Sequence, residues 1–254
     1  MAFIYRILVA MLLVGLMFGC KTTQNNKANR IDISSFYFPI EDLYEKQVYE
    51  YQDVNGVLPP YYWVFETRKD KDGQVRFYGE NYNARFEVEQ KSREQILKDG
   101  SVMEYFEIWQ RTSRGMIKMT ETTLEEKTVY PYSVQDSGGV FLFKVTWNDP
   151  IVKGLTNTMV RNRYFNGFKK YNLNGEELEC IELLTKEKIS FDQKDGEYRE
   201  YLVSGIELYA KGKGLIYNHK VVGKDQKMVY SLHRTMTWQE FQDHIGQVQD
   251  PRNR

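Results

Sequence analysis

The sequence predicts a mainly β domain of antiparallel strands followed by one short C-terminal helix, and three observations carry that reading. Aromatic residues make up 15% of the 254 positions, with 19 tyrosines, and they gather with β-branched residues in short runs that suit a pleated, half-buried surface. Turn chemistry at hairpin spacing separates the runs, as at Asn55-Gly56, Asn166-Gly167, Asn174-Gly175 and Asp195-Gly196. Only Thr237 to Ile245 repeats apolar residues (Trp238, Phe241, Ile245) at the spacing of a helix. Parallel strands would need many helical crossovers, so hairpin-linked antiparallel strands are expected.

Residues 1–19 stand apart from this pattern. One charge, Arg6, precedes an uncharged run from Ile7 to Gly19, which is short for a bilayer span and has the layout of a secretory signal peptide. After Cys20 the chain turns polar, KTTQNNKANR. The stretch 20–35 therefore reads as a modified cysteine and a flexible tether, with folding from near Phe36, a β-rich domain over 36–246 and a polar tail over 247–254. About 230 residues remain after processing, enough for a real core.

Strands are expected at Gln47–Val54 and Tyr61–Arg68, where Tyr49 and Tyr51, and then Tyr61, Trp63 and Phe65, share faces. Core packing accounts for such tyrosines, and a platform for sugars or peptides is the functional alternative. Val75–Tyr78 and Ala84–Gln90 follow, the latter with Phe86 and Val88 on one face. Arg93–Lys98 reads as one helical turn ended by Gly100. Val102–Arg111, Met116–Thr123 and Glu125–Tyr130 come next, and Val140–Trp147 places Phe141, Phe143, Val145 and Trp147 on a core-lining face. The remaining candidates are Thr158–Phe165, Phe168–Asn172, Glu177–Leu184, Tyr198–Tyr209, Gly214–Val222 and Lys227–Thr235. Thr237 and Glu240 have the spacing of a capping box for the helix.

A formal net charge of +0 gives no electrostatic reason to expect nucleic acid as a partner. His219, His233 and His244 show no metal-ligand spacing; a site shared by His219 and His233 competes with the plainer reading of surface histidines. Nucleophile-elbow, zinc-protease and calcium-loop motifs are absent from the sequence. Lys211-Gly212-Lys213-Gly214 reads as a hairpin, because Leu215-Ile216-Tyr217 continues as a strand where a phosphate loop needs a helix. Cys180 lies in a strand that alternates imperfectly, with Leu178, Cys180 and Glu182 on one face and Glu179, Ile181 and Leu183 on the other, and reads as a buried structural residue. No catalytic residue, metal or cofactor is assigned.

Leu16-Met17-Phe18-Gly19-Cys20 resembles a bacterial lipobox, with Met17 where lipoboxes carry leucine. The resemblance implies diacylglycerol on the Cys20 thiol, cleavage before it and acylation, as by palmitate, of the new amino terminus. An ordinary secreted protein with a chance cysteine is the plainer alternative. Two or three acyl chains anchor a protein stably, at about 0.8 kcal/mol per buried methylene. With Cys20 so used, Cys180 has no disulfide partner. Lys21 in place of an aspartate points to the outer membrane, and the lack of acids in Lys21-Thr22-Thr23-Gln24 points to its periplasmic side.

Three stretches resemble a class of Bacteroidetes-like lipoproteins without an assigned reaction: FYFPIEDLYEKQVYEY (Phe36 to Tyr51), NGEELECIEL (Asn174 to Leu183) and ELYAKGKGLIYN (Glu207 to Asn218). Tyr44-Glu45-Lys46 departs from the glycine-asparagine loop of that class. The resemblance implies a curved antiparallel sheet or half-barrel, similar to periplasmic lipoprotein carriers, and no activity. The expected function is a noncatalytic, membrane-anchored envelope lipoprotein that binds an apolar ligand along a concave face lined by residues such as Phe141 and Phe143, or binds an envelope protein. A cell-envelope hydrolase with unidentified carboxylates is the alternative; acids such as Glu177, Glu179 and Glu182 read as strand-surface charge.

Overall fold

Antiparallel hairpins run through nearly the whole chain, and the last strand returns to the first long one. The computed structural model describes residues 30–112, 115, 117–135, 139–194, 196–223 and 226–249; the expected signal peptide, Cys20 and most of the polar tail lie outside them. The strands are β1 (Arg30–Asp32), β2 (Gln47–Asp53), β3 (Tyr61–Lys69), β4 (Val75–Tyr82), β5 (Val88–Leu97), β6 (Gly100–Arg111), β7 (Ile117–Glu121) and β8 (Thr123–Pro131). They continue with β9 (Ser133–Gln135), β10 (Val140–Asn148), β11 (Leu155–Leu173), β12 (Glu176–Gln193), β13 (Tyr198–Ala210), β14 (Gly214–Val222) and β15 (Gln226–Thr237), before helix α1 (Trp238–Gln249). From β2 to β6, and on through β8 and β10 to β15, each strand pairs with the next. Pairing of β15 with β2, Thr237 opposite Gln47 through Tyr230 opposite Asp53, closes twelve strands into a barrel.

The half-barrel expectation is therefore corrected: closure leaves the ring without an open edge. Arg93–Lys98, expected as a helical turn, is mostly strand, because Ser92, Glu94 and Ile96 face inward opposite Phe106, Met103 and Ser101 of β6. Gly100 starts β6 instead of ending a helix. Phe86, expected within a strand, sits in a loop with φ 59°, where the Asn83 carboxamide oxygen accepts hydrogen bonds from the backbone of Arg85 and Glu87. The two strands expected across 158–172 are one, β11. Asn166-Gly167 forms a bulge, since Phe165 lies opposite Leu183 and Phe168 opposite Ile181.

Beyond that bulge the β11–β12 hairpin meets the outer face of its neighbours. Tyr171 packs on Tyr217 at 5.4 Å, and the Asn174 carboxamide donates to the carbonyl of His233 at 3.1 Å. Leu178, Cys180 and Leu208 are buried there, which explains why β12 is apolar on both faces around Cys180.

A ring of eight strands is filled by one layer of side chains, and the diameter grows with strand number. Twelve strands leave surplus space, and at one end residues 33–43 fill it. Ile33 and Leu43 are fully buried. The segment is tied to the wall by Ile33 N–H to Tyr132 O, Gly212 N–H to Ser35 O and Thr67 N–H to Leu43 O. Phe38 meets Phe65 at 4.4 Å and Phe77 at 5.4 Å. Gly214, with φ +80°, makes room for it: a Cβ there would lie 2.4 Å from the Phe38 ring. Arg30 belongs to strand β1, which pairs with β9, so residues 30–35, expected within the tether, are part of the described domain. Outside the barrel, Phe241 of α1 is fully buried among Val48, Tyr62, Val64 and Met236. The capping box is formed, Glu240 N–H to Thr237 Oγ1 at 3.2 Å and Thr237 N–H to Glu240 Oε2 at 2.7 Å.

Candidate functional site

Strand parity places a charged network on the inner wall, just beyond the plug. Arg163, Thr185, Gly205 and Lys220 stand opposite one another on β11 to β14. On the plug side the next inward row is Phe165, Leu183, Glu207 and Asn218; on the far side it is Arg161, Glu187, Val203 and Val222. Arg163 reaches across Thr185 to Glu207, Nε to Oε2 2.8 Å. Lys220 reaches the other way across Gly205 to Glu187, Nζ to Oε1 3.1 Å and to Oε2 3.3 Å. Both crossings need a small residue between the partners. A Cβ on Gly205 would lie 2.3 Å from the His219 carbonyl oxygen and 2.8 Å from Thr185 Oγ1. Arg161 meets Glu187 directly, Nε to Oε1 2.7 Å.

Burial and pairing together set the protonation states. Desolvation pushes the Glu187 carboxyl up, but Arg161, Lys220 and Arg163 outweigh it and hold it at about 2. Glu207 is likewise desolvated yet lowered, mainly by Arg163, and accepts from the Tyr209 hydroxyl at 3.3 Å. Burial pulls the Lys220 ammonium down against the attraction of Glu187. Both carboxylates are therefore fixed as charge partners, a poor state for a general acid near neutral pH. Glu94 differs: burial raises it, and it accepts from the Tyr37 hydroxyl of the plug at 2.5 Å, which spends it on closing that end.

The accessible side of the network is cationic. Glu187 is 3% exposed, whereas Arg161 and Lys220, which bind it, remain 23% and 22% exposed. Three cations face two carboxylates in this cluster. Among the described residues no acceptor pairs with the terminal guanidinium nitrogens of Arg161. Beyond the network the inward positions include the apolar Leu124 opposite Val145, Met159 opposite Ile189, and Val222 of β14, with the polar Asn157 opposite Trp147 and Arg199 opposite Phe191 farther along. Val145 is fully buried among Met103, Phe106 and Phe143, while Leu124, Met159, Ile189 and Val222 keep partial exposure.

Phe141, Phe143, Val145 and Trp147 do line the inner wall, as their alternation predicted; Phe143 and Val145 pack with Met103 and Phe106. Tyr49, Tyr51 and Phe65 are buried beside the plug, with Tyr61 and Trp63 packed against them, so these aromatics serve the core. Cys180 is fully buried, and burial raises its thiol to about 11, out of range for a nucleophile. His219 lies opposite Val229, and His233 falls at the bulge between Leu232 and Arg234, so the structure does not bring them together. Glu177 and Glu179 are exposed on the outer end of β12. No metal-binding group of acids, cysteines and histidines occurs among the described residues. The sequence reading did not single out Arg161, Arg163, Glu187, Glu207 or Lys220; charged residues at alternate positions of long strands were the available signal.

A groove of about 170 Å³ on the outer face of β3 to β6 is lined by Lys46, Arg68, Lys91, Arg93, Tyr78 and Tyr105 among others. Three of its cations are paired with carboxylates, Arg68 with Glu66 at 2.8 Å, Lys91 with Glu80 at 3.4 Å and Arg93 at 3.0 Å with Glu104, which it shares with Arg76.

No family model matches the chain, and no curated protein matches it in sequence. Among solved structures it is similar to one from Parabacteroides distasonis ATCC 8503, of a chain proposed to be a lipoprotein. The TM-score is 0.49 and the identity 13%, over 79% of this chain and 98% of that one. A likeness at that level transfers neither fold nor function, so the functional case rests on this chain's own residues.

Proposed function

We propose that the protein is a noncatalytic envelope lipoprotein, anchored through Cys20 and binding an apolar ligand in the unplugged half of its barrel. The observation that carries this reading is the asymmetry of the lumen. A twelve-stranded ring is wider than its side chains can fill; one end receives residues 33–43, and the other presents inward apolar residues, among them Met159, Ile189 and Val222, that stay partly exposed. Apolar concave space with a few placed polar groups is the usual form of a small-molecule site. The lipobox-like Leu16–Cys20 supplies the anchor, and Lys21 favours the outer membrane facing the periplasm.

Two variants test the two parts. Cys20→Ala should move the protein from the membrane to the soluble fraction. The soluble variant should then bind the neutral fluorophore N-phenyl-1-naphthylamine at one saturable site, and Val222→Trp, which fills the lumen, should abolish that binding. Unchanged membrane association of Cys20→Ala would defeat the anchor. Equal fluorophore binding with and without Val222→Trp would defeat the lumen site.

A further inference from the structure

We infer that the ligand of this lumen is an amphiphile with one anionic head, a carboxylate-headed chain whose head meets Arg161 and Lys220 and whose tail runs toward the open mouth. The inference rests on the apolar-lumen reading above and specifies its chemistry. Three features of the wall carry it.

Charge is the first. Arg163 and Glu207 form a closed pair behind the network, 8% and 5% exposed, and Arg163 also donates to the Val129 carbonyl at 3.1 Å. In front of it, Arg161 and Lys220 share the single carboxylate of Glu187. One positive charge is left over, and it lies on the side chains that remain exposed to the lumen. An added carboxylate completes the count, and Arg161 can offer it unused guanidinium donors in a planar fork suited to that group.

The direction of the shaft is the second. Mouthward of Arg161, β10 and β11 contribute Val145 and Met159 and then Trp147 and Asn157, and mouthward of Lys220, which stands opposite Met228, β14 contributes Val222 opposite Gln226 of β15. Phe165 and Leu183 on the plug side lie behind the closed Arg163–Glu207 pair, so the apolar wall open to a chain bound at the network is the mouthward one, which suits a single-headed chain. From Arg161 to Leu155 the strand runs six residues, about 20 Å at 3.3 Å per residue or about 15 Å along the axis of a barrel whose strands tilt about 40°, the length of an extended chain of about a dozen methylenes.

The third feature is that the network is built at a cost to packing. Gly205 and Thr185 keep the wall low beneath Lys220 and Arg163, and glycine within a strand gives up side-chain packing. Two well-packed apolar pairs would serve stability as well or better. Recognition of a charged head gives the arrangement a use that folding alone does not.

Calorimetric titration of the soluble Cys20→Ala protein with dodecanoate, dodecanol and dodecylamine separates the possibilities. Dodecanoate should bind roughly ten- to a hundredfold tighter than dodecanol, the range of one or two charge-assisted hydrogen bonds, and dodecylamine should bind weakest. Lys220→Met and Arg161→Gln should weaken dodecanoate toward the level of dodecanol and change dodecanol far less, with thermal melts establishing that each variant is folded. Equal affinity for acid and alcohol would overturn the head-group inference and leave the apolar lumen standing. Preference for the amine would overturn it as well. Binding of none of the three would overturn the lumen reading itself, and the comparison of the three ligands on the unaltered wall needs no lumen variant.

Discussion

Removing one member of the Arg163–Glu207 pair should destabilise the barrel far more than removing both. The two side chains are 8% and 5% exposed, so Glu207→Leu leaves a guanidinium in the wall with the Val129 carbonyl as its remaining hydrogen-bond acceptor in the site. Stranding a buried charge costs about 3–5 kcal/mol, whereas exchanging a whole buried pair for apolar residues of similar volume is often neutral. For a domain of this size 1 kcal/mol corresponds to about 2–4 °C in melting temperature, so Glu207→Leu should lower it by roughly 6–20 °C. Arg163→Met should act similarly, since it leaves Glu207 with the Tyr209 hydroxyl and more distant cations. The Arg163→Met/Glu207→Leu double variant should recover most of the loss. Urea denaturation of the four proteins, analysed as a double-mutant cycle, measures this. Additive single effects, or a cost for Glu207→Leu below about 1 kcal/mol, would mean that the pair is not desolvated and that the wall is wetter than its burial indicates.

Acid should weaken the same wall. Glu187 is held at about 2 against an ordinary 4.5, so its contribution is fully present above the unfolded value and is lost as pH falls through 4.5 toward 2. The shift corresponds to about 3 kcal/mol, and the urea midpoint of Glu187→Gln should vary less with pH over that window than that of the unaltered protein. Gly214→Val should unseat Phe38 and expose the plug, read as faster proteolysis near residues 33–43; an unchanged cleavage pattern would count against the close approach at Gly214. Phe241→Ala should cost about 3–5 kcal/mol while leaving ligand affinity unchanged, because α1 packs outside the barrel; a loss of affinity in a folded variant would refute that separation.

The parts legible in the sequence were those governed by near neighbours. The inward face of β10 follows from strict alternation at Phe141, Phe143, Val145 and Trp147, and the start of α1 follows from Thr237 and Glu240. The segment Arg93–Lys98 misled because one of its two inward residues, beside Ile96, is the acid Glu94, satisfied by Tyr37 fifty-seven positions earlier. Without that partner the strand shows no apolar alternation. Barrel closure depends on β2 and β15, whose paired residues Gln47 and Thr237 lie at opposite ends of the domain, and no local pattern encodes that pairing. The network was hidden for the same reason: Arg161 and Arg163 look like solvent-facing charges until Glu187 and Glu207 are brought alongside. Gly205 and Thr185 look unremarkable until Lys220 and Arg163 are seen to pass over them.

A crystal structure of the Cys20→Ala protein with ω-bromododecanoate tests the central claim most directly. The account predicts anomalous bromine density in the mouthward half of the barrel, near Val145, Met159 and Val222, with the carboxylate in hydrogen-bond contact with Arg161 and Lys220. Bromine on the outer groove beside Lys91 and Arg93, or a lumen still empty at saturating ligand, would contradict it.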